Sequence, residues 1–174
     1  ASTPLLTRLC DKRKLLMILM SIVALLSVMF YFIPNDNITL MFVFQIMIGL
    51  ALGPKSPLVF SMYADTADFS EWQTGRRATA MIFSAAAFAQ KLGGALSGAT
   101  IGWLLASLGY VANQAQSGAS EMGIILLMTL VPALFAAIAV PIIWWYPLTN
   151  AKLTKIQSEL AQKKSFTVVD KGLG

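Results

Sequence analysis

Histidine is absent from the 174 residues, cysteine occurs once, as Cys10, and only 12% of the residues are charged. The missing histidine removes the side chain that most often acts as a general base near neutral pH and as a metal ligand. A single cysteine cannot form an intrachain disulfide. The side chains from which most enzyme and metal sites are built are therefore scarce, and we expect neither catalysis nor a cofactor.

Apolar residues dominate instead: 57% of the chain is hydrophobic and the mean hydropathy is +0.70. Soluble domains are typically about half apolar and a quarter charged, so the composition predicts an all-α integral membrane protein. About 20 apolar residues cross a hydrocarbon core of roughly 30 Å. The long, nearly uncharged runs therefore predict four transmembrane helices, at about 15–33, 38–63, 78–108 and 123–146.

The segments outside these runs are polar, and they are a loop at 1–14, a connecting loop at 64–77 and a tail at 147–174. Within the tail, Leu153, Ile156 and Leu160 recur at helical spacing. This spacing predicts a short amphipathic helix that lies on the membrane surface.

The basic residues are distributed unevenly between the two sides of the predicted bundle. Four precede Leu15, two lie in the 64–77 loop and five follow Tyr146, whereas the loops around Asn35 and Asn113 have none. The positive-inside rule then places both termini and the 64–77 loop on the cytoplasmic side of the inner (plasma) membrane. Lysines without arginine in the tail make a poor nucleic-acid footprint, so no nucleic-acid partner is expected.

A charged strip at residues 62–77 separates the second and third apolar runs, and its ionisable residues are Asp65, Asp68, Glu71, Arg76 and Arg77. Acids spaced by three residues would share one face if the helix continued, and the arginines would offset their repulsion. A solvated cytoplasmic turn is one interpretation. We favour a gate, in which ion pairs exist in only one of two helix arrangements. The loose spacing without histidine predicts no metal site.

Two lysines interrupt the apolar runs. Lys91 lies thirteen residues beyond Ala78, roughly 20 Å along a helix, which is too deep for easy contact with either surface. The spans contain no acid to pair with Lys91, so it is predicted to act in substrate or ion coupling, with a structural ion pair as the alternative. Lys55 follows Gly53 and Pro54, where the helix should break; it either lines a cavity or extends to the interface.

Gly94, Gly98 and Gly102 repeat every four residues in the third run. This spacing places them on one helical face, where small residues let another helix approach closely. We expect helix packing at this face, with a hinge as the lesser alternative.

The order of these residues resembles the C-terminal half of the glycoside-pentoside-hexuronide:cation symporters, the family of the melibiose permease. The basic opening at residues 11–14 is similar to the family's loop between its eighth and ninth helices. The matching pattern is Met62-x2-Asp65-x2-Asp68-x2-Glu71-x2-Thr74-Gly75-x-Arg77, followed by Lys91-x-Gly93 and Gly109-Tyr110.

This resemblance implies the major-facilitator fold of twelve spanning helices in two halves, with the four predicted spans as helices nine to twelve. It also implies sugar or glycoside symport coupled to Na⁺, Li⁺ or H⁺ by alternating access. The strip would then be the cytoplasmic charged lock of the family, and Lys91 the lysine that faces the central cavity.

The sequence starts at Ala1 without an initiator methionine. We therefore expect a fragment of a longer transporter, whose partners would be the sugar, the membrane lipid and the missing N-terminal half. A small non-catalytic membrane subunit of four helices is the alternative.

Overall fold

The computed structural model describes residues 11–34, 36–114 and 116–172, and these ranges are helical without strands. The predicted all-α class is confirmed. Seven helices occur in the described residues: α1 Lys12–Tyr31, α2 Ile38–Leu52, α3 Lys55–Thr74, α4 Thr79–Ser107, α5 Gly118–Met128, α6 Leu130–Trp144 and α7 Asn150–Gly172.

Three helical segments of the described residues are long and apolar enough to cross a membrane: α1, α2 with α3, and α5 with α6. Helix α4, at the predicted third span, has 29 residues and is long enough, but it lies outside this set. Its glycines and alanines, together with Gln90 and Lys91, make it less apolar than the other three. The count of four spans therefore stays a prediction.

Both composite spans break where proline removes a backbone donor. The break between α2 and α3 falls at Gly53 and Pro54, as the sequence predicts. Helix α5 ends at Met128 and α6 begins at Leu130, because Pro132 has no N–H to donate to the carbonyl of Met128. The predicted span at 123–146 is thus made of two helices and begins earlier, at Gly118.

The centre of the bundle is α1, which packs antiparallel to both α6 and α2. Its buried Val23 and Leu26 contact Ile48 of α2 and Ala136 of α6. Most other large apolar side chains point outward, among them Leu25, Phe42, Leu50, Phe135 and Ile142. Exposed apolar surface on this scale is what a lipid-facing helix bundle requires.

Helix α4 stands apart from this bundle and has no buried residue. Near its start, the ring of Phe83 stacks on Phe60 with centroids 6.3 Å apart. Near its end, the fully buried Ser120 of α5 donates to the carbonyl oxygen of Leu108 at 2.8 Å. Between these contacts α4 diverges from α5 and α6 and leaves a groove of about 580 Å³.

The tail corrects one prediction. Helix α7 is amphipathic, but its buried Leu153, Ile156 and Leu160 pack against Phe69 and Trp72 of α3. Protein, not the membrane surface, therefore covers this apolar face. Phe69 and Trp72 belong to the charged strip and supply the apolar surface against which α7 packs.

The hydrogen bond from Ser120 should be a main attachment of α4 to α5. Ser120→Ala leaves the Leu108 carbonyl without this donor, so we expect the free energy of unfolding to fall by about 1–2 kcal/mol. Unfolding in mixed micelles of rising SDS content measures this loss. Ser107→Ala is the matched control, because its exposed hydroxyl bonds only to Leu104 of its own helix; equal effects of the two substitutions would contradict the prediction.

Candidate functional site

The charged strip is helical over most of its length. No glycine or proline lies between Leu58 and Thr74, and α3 continues to Thr74. Gly75 then ends the helix with a φ of 74°, and its N–H donates to the carbonyl of Glu71 at 2.9 Å. The predicted loop at 64–77 is therefore corrected to a helix end and a short connection, and the three acids share one helical face.

Three of the predicted gate residues come together. Arg77, in the connection between α3 and α4, places Nη2 2.8 Å from Oδ1 of Asp68 and Nη1 3.7 Å from Oε2 of Glu71. Its Nε donates to Thr79 Oγ1 at 3.2 Å, which directs the guanidinium back toward α3. The side chain of Arg77 is 50% exposed, whereas those of Asp68 and Glu71 are 17% and 15% exposed. We call Asp68, Glu71 and Arg77 the gate cluster.

Asp65 takes a different partner. Its Oδ2 lies 2.7 Å from Nζ of Lys12 on α1, and its side chain is only 7% exposed. A carboxylate this buried is costly unless a cation balances it. Lys12 lies in the basic opening at residues 11–14, and its pair with Asp65 ties α3 to α1.

Arg13 binds the chain at the end of α6, and Asp11 binds the start of α7, so both segments are held at the beginning of α1. Arg13 Nη1 donates to the carbonyl of Tyr146 at 3.1 Å, and Asp11 Oδ1 accepts from the backbone N–H of Asn150 at 3.1 Å. The beginning of α1, the strip, the end of α6 and the beginning of α7 therefore meet at one end of the bundle.

Tyr146, beyond the last residue of α6, is hydrogen-bonded to α3 close to Asp65. Its hydroxyl donates to the carbonyl of Met62 at 3.2 Å and lies 3.4 Å from Thr66 Oγ1. Burial raises the pKa of Tyr146, the hydrogen bond with Thr66 lowers it, and the nearby Asp65 carboxylate raises it further. The phenol therefore stays neutral at physiological pH and acts as a hydrogen-bond donor. We call Asp11, Lys12, Arg13, Asp65 and Tyr146 the charged junction.

Arg76 is exposed beside the gate cluster. Its carbonyl oxygen lies 3.3 Å from Thr74 Oγ1 and 3.4 Å from Ser70 Oγ, and each hydroxyl donates to it. These contacts use the backbone of Arg76, so a role for its guanidinium stays a prediction.

The two lysines in the apolar runs both lie on exposed helix surfaces. Lys55 is the first residue of α3, directly after the break, and Lys91 lies near the middle of α4. No carboxylate in the described part of the chain pairs with either lysine. Their predicted coupling roles stay predictions.

The glycine face of α4 is also open. A Cβ atom added at Gly94, Gly98 or Gly102 would have no atom within 4 Å. No helix of the described residues packs there, so helix packing at this face stays a prediction.

Sequence reasoning missed the charged junction because it assigned residues 1–14 to a polar loop outside the helix bundle. The sequence did contain a signal. The basic cluster at residues 11–14 and the acidic residues of the strip carry opposite charges, and both are predicted on the same side of the bundle. What pairs with Asp65 depends on the packing of α1 against α3, which no local pattern encodes.

Comparison with known proteins defines the class. The family model described as MFS/sugar transport protein matches residues 1–150. The inner membrane symporter YicJ of Escherichia coli is 38% identical over 146 residues, which are 83% of this chain and 32% of that protein. The uncharacterized symporter YnaJ of Bacillus subtilis is 31% identical over 162 residues, 92% of this chain and 35% of that protein.

The glucuronide carrier protein homolog of Escherichia coli is 34% identical over 116 residues, 67% of this chain and 25% of that protein. No solved structure matches the chain. The apolar helices and these matches define a multi-pass membrane protein of the transporter class, not an enzyme. The chain belongs to the glycoside-pentoside-hexuronide:cation symporter family of the major facilitator superfamily, which confirms the predicted family. It spans about a third of the length of the curated relatives it matches.

The pair between Lys12 and Asp65 should stabilise the fold more than its neighbours do. Lys12→Met leaves a buried carboxylate without its cation, so we expect a loss of about 3 kcal/mol in the free energy of unfolding. Replacing both partners, as Lys12→Met with Asp65→Leu, should recover most of that loss.

Unfolding in mixed micelles of rising SDS content measures the free energy of unfolding of the wild type, Lys12→Met and the double variant. Lys14→Met is the control, because Lys14 is exposed two residues further along the same helix and should change stability by less than about 0.5 kcal/mol. If Lys12→Met and Lys14→Met behave alike, the ion pair does not hold α1 to α3.

Proposed function

We propose that this chain is the C-terminal part of a secondary active transporter that moves a sugar or glycoside together with a cation across the inner membrane. The observation that carries the proposal is the gate cluster at the end of a broken, apolar composite helix. Support comes from the match to the sugar-transport family model and from relatives named symporters, one of them a glucuronide carrier homolog. Na⁺, Li⁺ and H⁺ are the candidate coupling cations.

The spans would be helices nine to twelve of the family's twelve: α1, α2 with α3, α4, and α5 with α6. Both breaks fit this role, since interrupted helices in transporters line cavities where substrate and ions bind. The uncovered face of α4 is available to helices in the remaining two thirds of such a protein. The basic ends of the chain favour a cytoplasmic position for both termini and for the strip.

The gate cluster has the energetics of a contact that opens and closes. An ion pair between partly exposed side chains is worth about 1 kcal/mol or less, so the Arg77 contacts can break in each transport cycle at little cost. Arg77 lies on the short connection between α3 and α4, and a shift of α4 would move it away from Asp68. In this mechanism the paired state closes the cytoplasmic side, and its loss opens it.

Lys91 supplies the charge of the central cavity in the same mechanism. It lies near the middle of α4 and is exposed to the space outside this bundle. A lysine at that depth in a membrane requires water or a counter-charge. The counter-charge would be an acid on the other half of the transporter, and cation entry would alter that pairing.

Lys91 should be required for accumulation against a gradient. We expect Lys91→Met in the full-length protein to lower steady-state accumulation of its glycoside at least tenfold, because the cavity charge is lost, while Lys91→Arg retains part of it. Uptake of radiolabelled glucuronides and other glycosides into membrane vesicles, with and without Na⁺, provides the measurement. Undiminished accumulation by Lys91→Met would exclude the coupling role, and Lys14→Met serves as the control for loss of a lysine.

Asp68 should control the rate of transport more than its affinity. Asp68→Asn removes the charge that pairs with Arg77, so we expect the maximal rate of uptake to fall at least fivefold while KM changes less than twofold. The kinetics of uptake by vesicles measure both quantities. Gln73→Ala, which replaces an exposed residue of the same helix outside the gate cluster, is the control; wild-type kinetics for Asp68→Asn would reduce the gate cluster to a solvated helix end.

A further inference from the structure

Helix α7 lies against α3, which carries Asp68 and Glu71 of the gate cluster and which we call the gate helix. Its buried Leu153, Ile156 and Leu160 form one apolar cluster with Leu148, and the rings of Phe69 and Trp72 on α3 pack against that cluster. Removing several large apolar side chains from water favours this docking. The docking of α7 on α3 is therefore a packed apolar interface.

Polar contacts follow the same face of α3. Trp72 Nε1 donates to Glu159 Oε2 at 2.6 Å, and Gln157 Nε2 donates to Asp68 Oδ2 at 3.3 Å. A further contact places Nζ of Lys152 5.3 Å from the centroid of the Phe69 ring. Positions 68, 69 and 72 of the strip thus each have a partner on α7.

The carboxylate of Asp68 is shared between the two neighbours. Oδ1 pairs with Arg77, and Oδ2 accepts from Gln157. A carboxylate already held in one rotamer loses less side-chain entropy when an arginine pairs with it. Gln157 therefore favours the orientation of Asp68 in which the gate cluster is complete.

The start of α7 is fixed independently of the gate. The N–H of Asn150 donates to Asp11, and Arg13 of α1 holds the carbonyl of Tyr146 just before it. Any shift of α3 away from α1 must then either carry α7 along or separate Trp72 from Glu159. The contacts of α7 therefore oppose movement of the gate helix.

We propose that α7 is a strap on the gate, in which Gln157 and Glu159 are positioning residues that keep Asp68 paired with Arg77 and so stabilise the closed arrangement. This inference rests on the proposed transport function. It assigns to the tail a part in the transport cycle in addition to its packing. Loss of the strap should make the closed arrangement less populated, so each transport cycle, which must pass through it, should be slower. Substrate binding should not weaken, because Gln157 and Glu159 lie at the end of the bundle and not at Lys91.

The test uses the full-length carrier in membrane vesicles, with radiolabelled glucuronides and other glycosides as probes. Uptake by the wild type is measured first, because its absence would overturn the proposed function itself. Glu159→Leu and Gln157→Leu are each expected to lower the maximal rate at least threefold and to change KM less than twofold. Glu159→Gln, which keeps an acceptor for Trp72, should recover most of the rate.

Trp72 fluorescence reports docking without transport. In a carrier whose remaining tryptophans are phenylalanine, Glu159→Leu should shift the Trp72 emission to longer wavelength, and Glu159→Gln should not. Ser158→Ala is the matched control, because Ser158 lies between the two residues and bonds only to its own helix.

Wild-type rates for both leucine variants in an active carrier would overturn the strap and leave the transport function standing. An unchanged Trp72 emission in Glu159→Leu would overturn it as well. If Glu159→Leu does not reach the membrane, Gln157→Leu alone decides, since it removes one exposed hydrogen bond and leaves the apolar interface intact.

Discussion

The contact on which the other features depend is the ion pair between Lys12 and Asp65. It places a nearly buried carboxylate of α3 against the beginning of α1, 2.7 Å from the ammonium group. Without that cation a nearly buried charge would be left uncompensated, which would oppose placing the end of α3 inside the bundle. Since Asp11 and Arg13 are the neighbours of Lys12, the same turn of chain also holds α6 and α7. One basic segment thus determines where four helices meet.

The strip divides its acids between a permanent role and a variable one. Breaking a buried pair such as Lys12 with Asp65 costs several kcal/mol, whereas the partly exposed contacts of Arg77 are worth about 1 kcal/mol or less. In the proposed transport cycle, a movement of the helices would therefore separate Arg77 from Asp68 while Asp65 stays in place. In the proposed mechanism, three acids at equal spacing on one helix face would therefore act differently because they and their partners differ in exposure.

Much of this arrangement follows from the sequence, and the remainder has an identifiable cause. Apolar run length predicts α1 and both composite spans, and Gly53 with Pro54 predicts the first break. The break at Thr129 is displaced from Pro132 because proline frees the carbonyl four residues before it, so the helix ends ahead of the proline. The strip was predicted to be a loop because closely spaced charges are typical of a surface turn. The segment between Leu58 and Thr74 contains no glycine or proline, however, so the helix continues to Thr74. The partners of Asp65 and the apolar face of α7 depend on tertiary contacts between distant segments.

Helix α4 is attached to the other helices near its two ends. At its start, Arg77 and Thr79 connect it to the gate cluster, and at its far end Ser120 holds Leu108. Between these points no carboxylate of the described residues pairs with Lys91, and a Cβ added at Gly94, Gly98 or Gly102 would meet no atom within 4 Å. A helix attached only at its two ends can tilt with little loss of packing, and its tilt would move Arg77 relative to Asp68. In the proposed mechanism, Lys91, which would respond to a bound substrate or cation, and Arg77, which would close the gate, are therefore connected through α4, about 20 Å apart by helical rise.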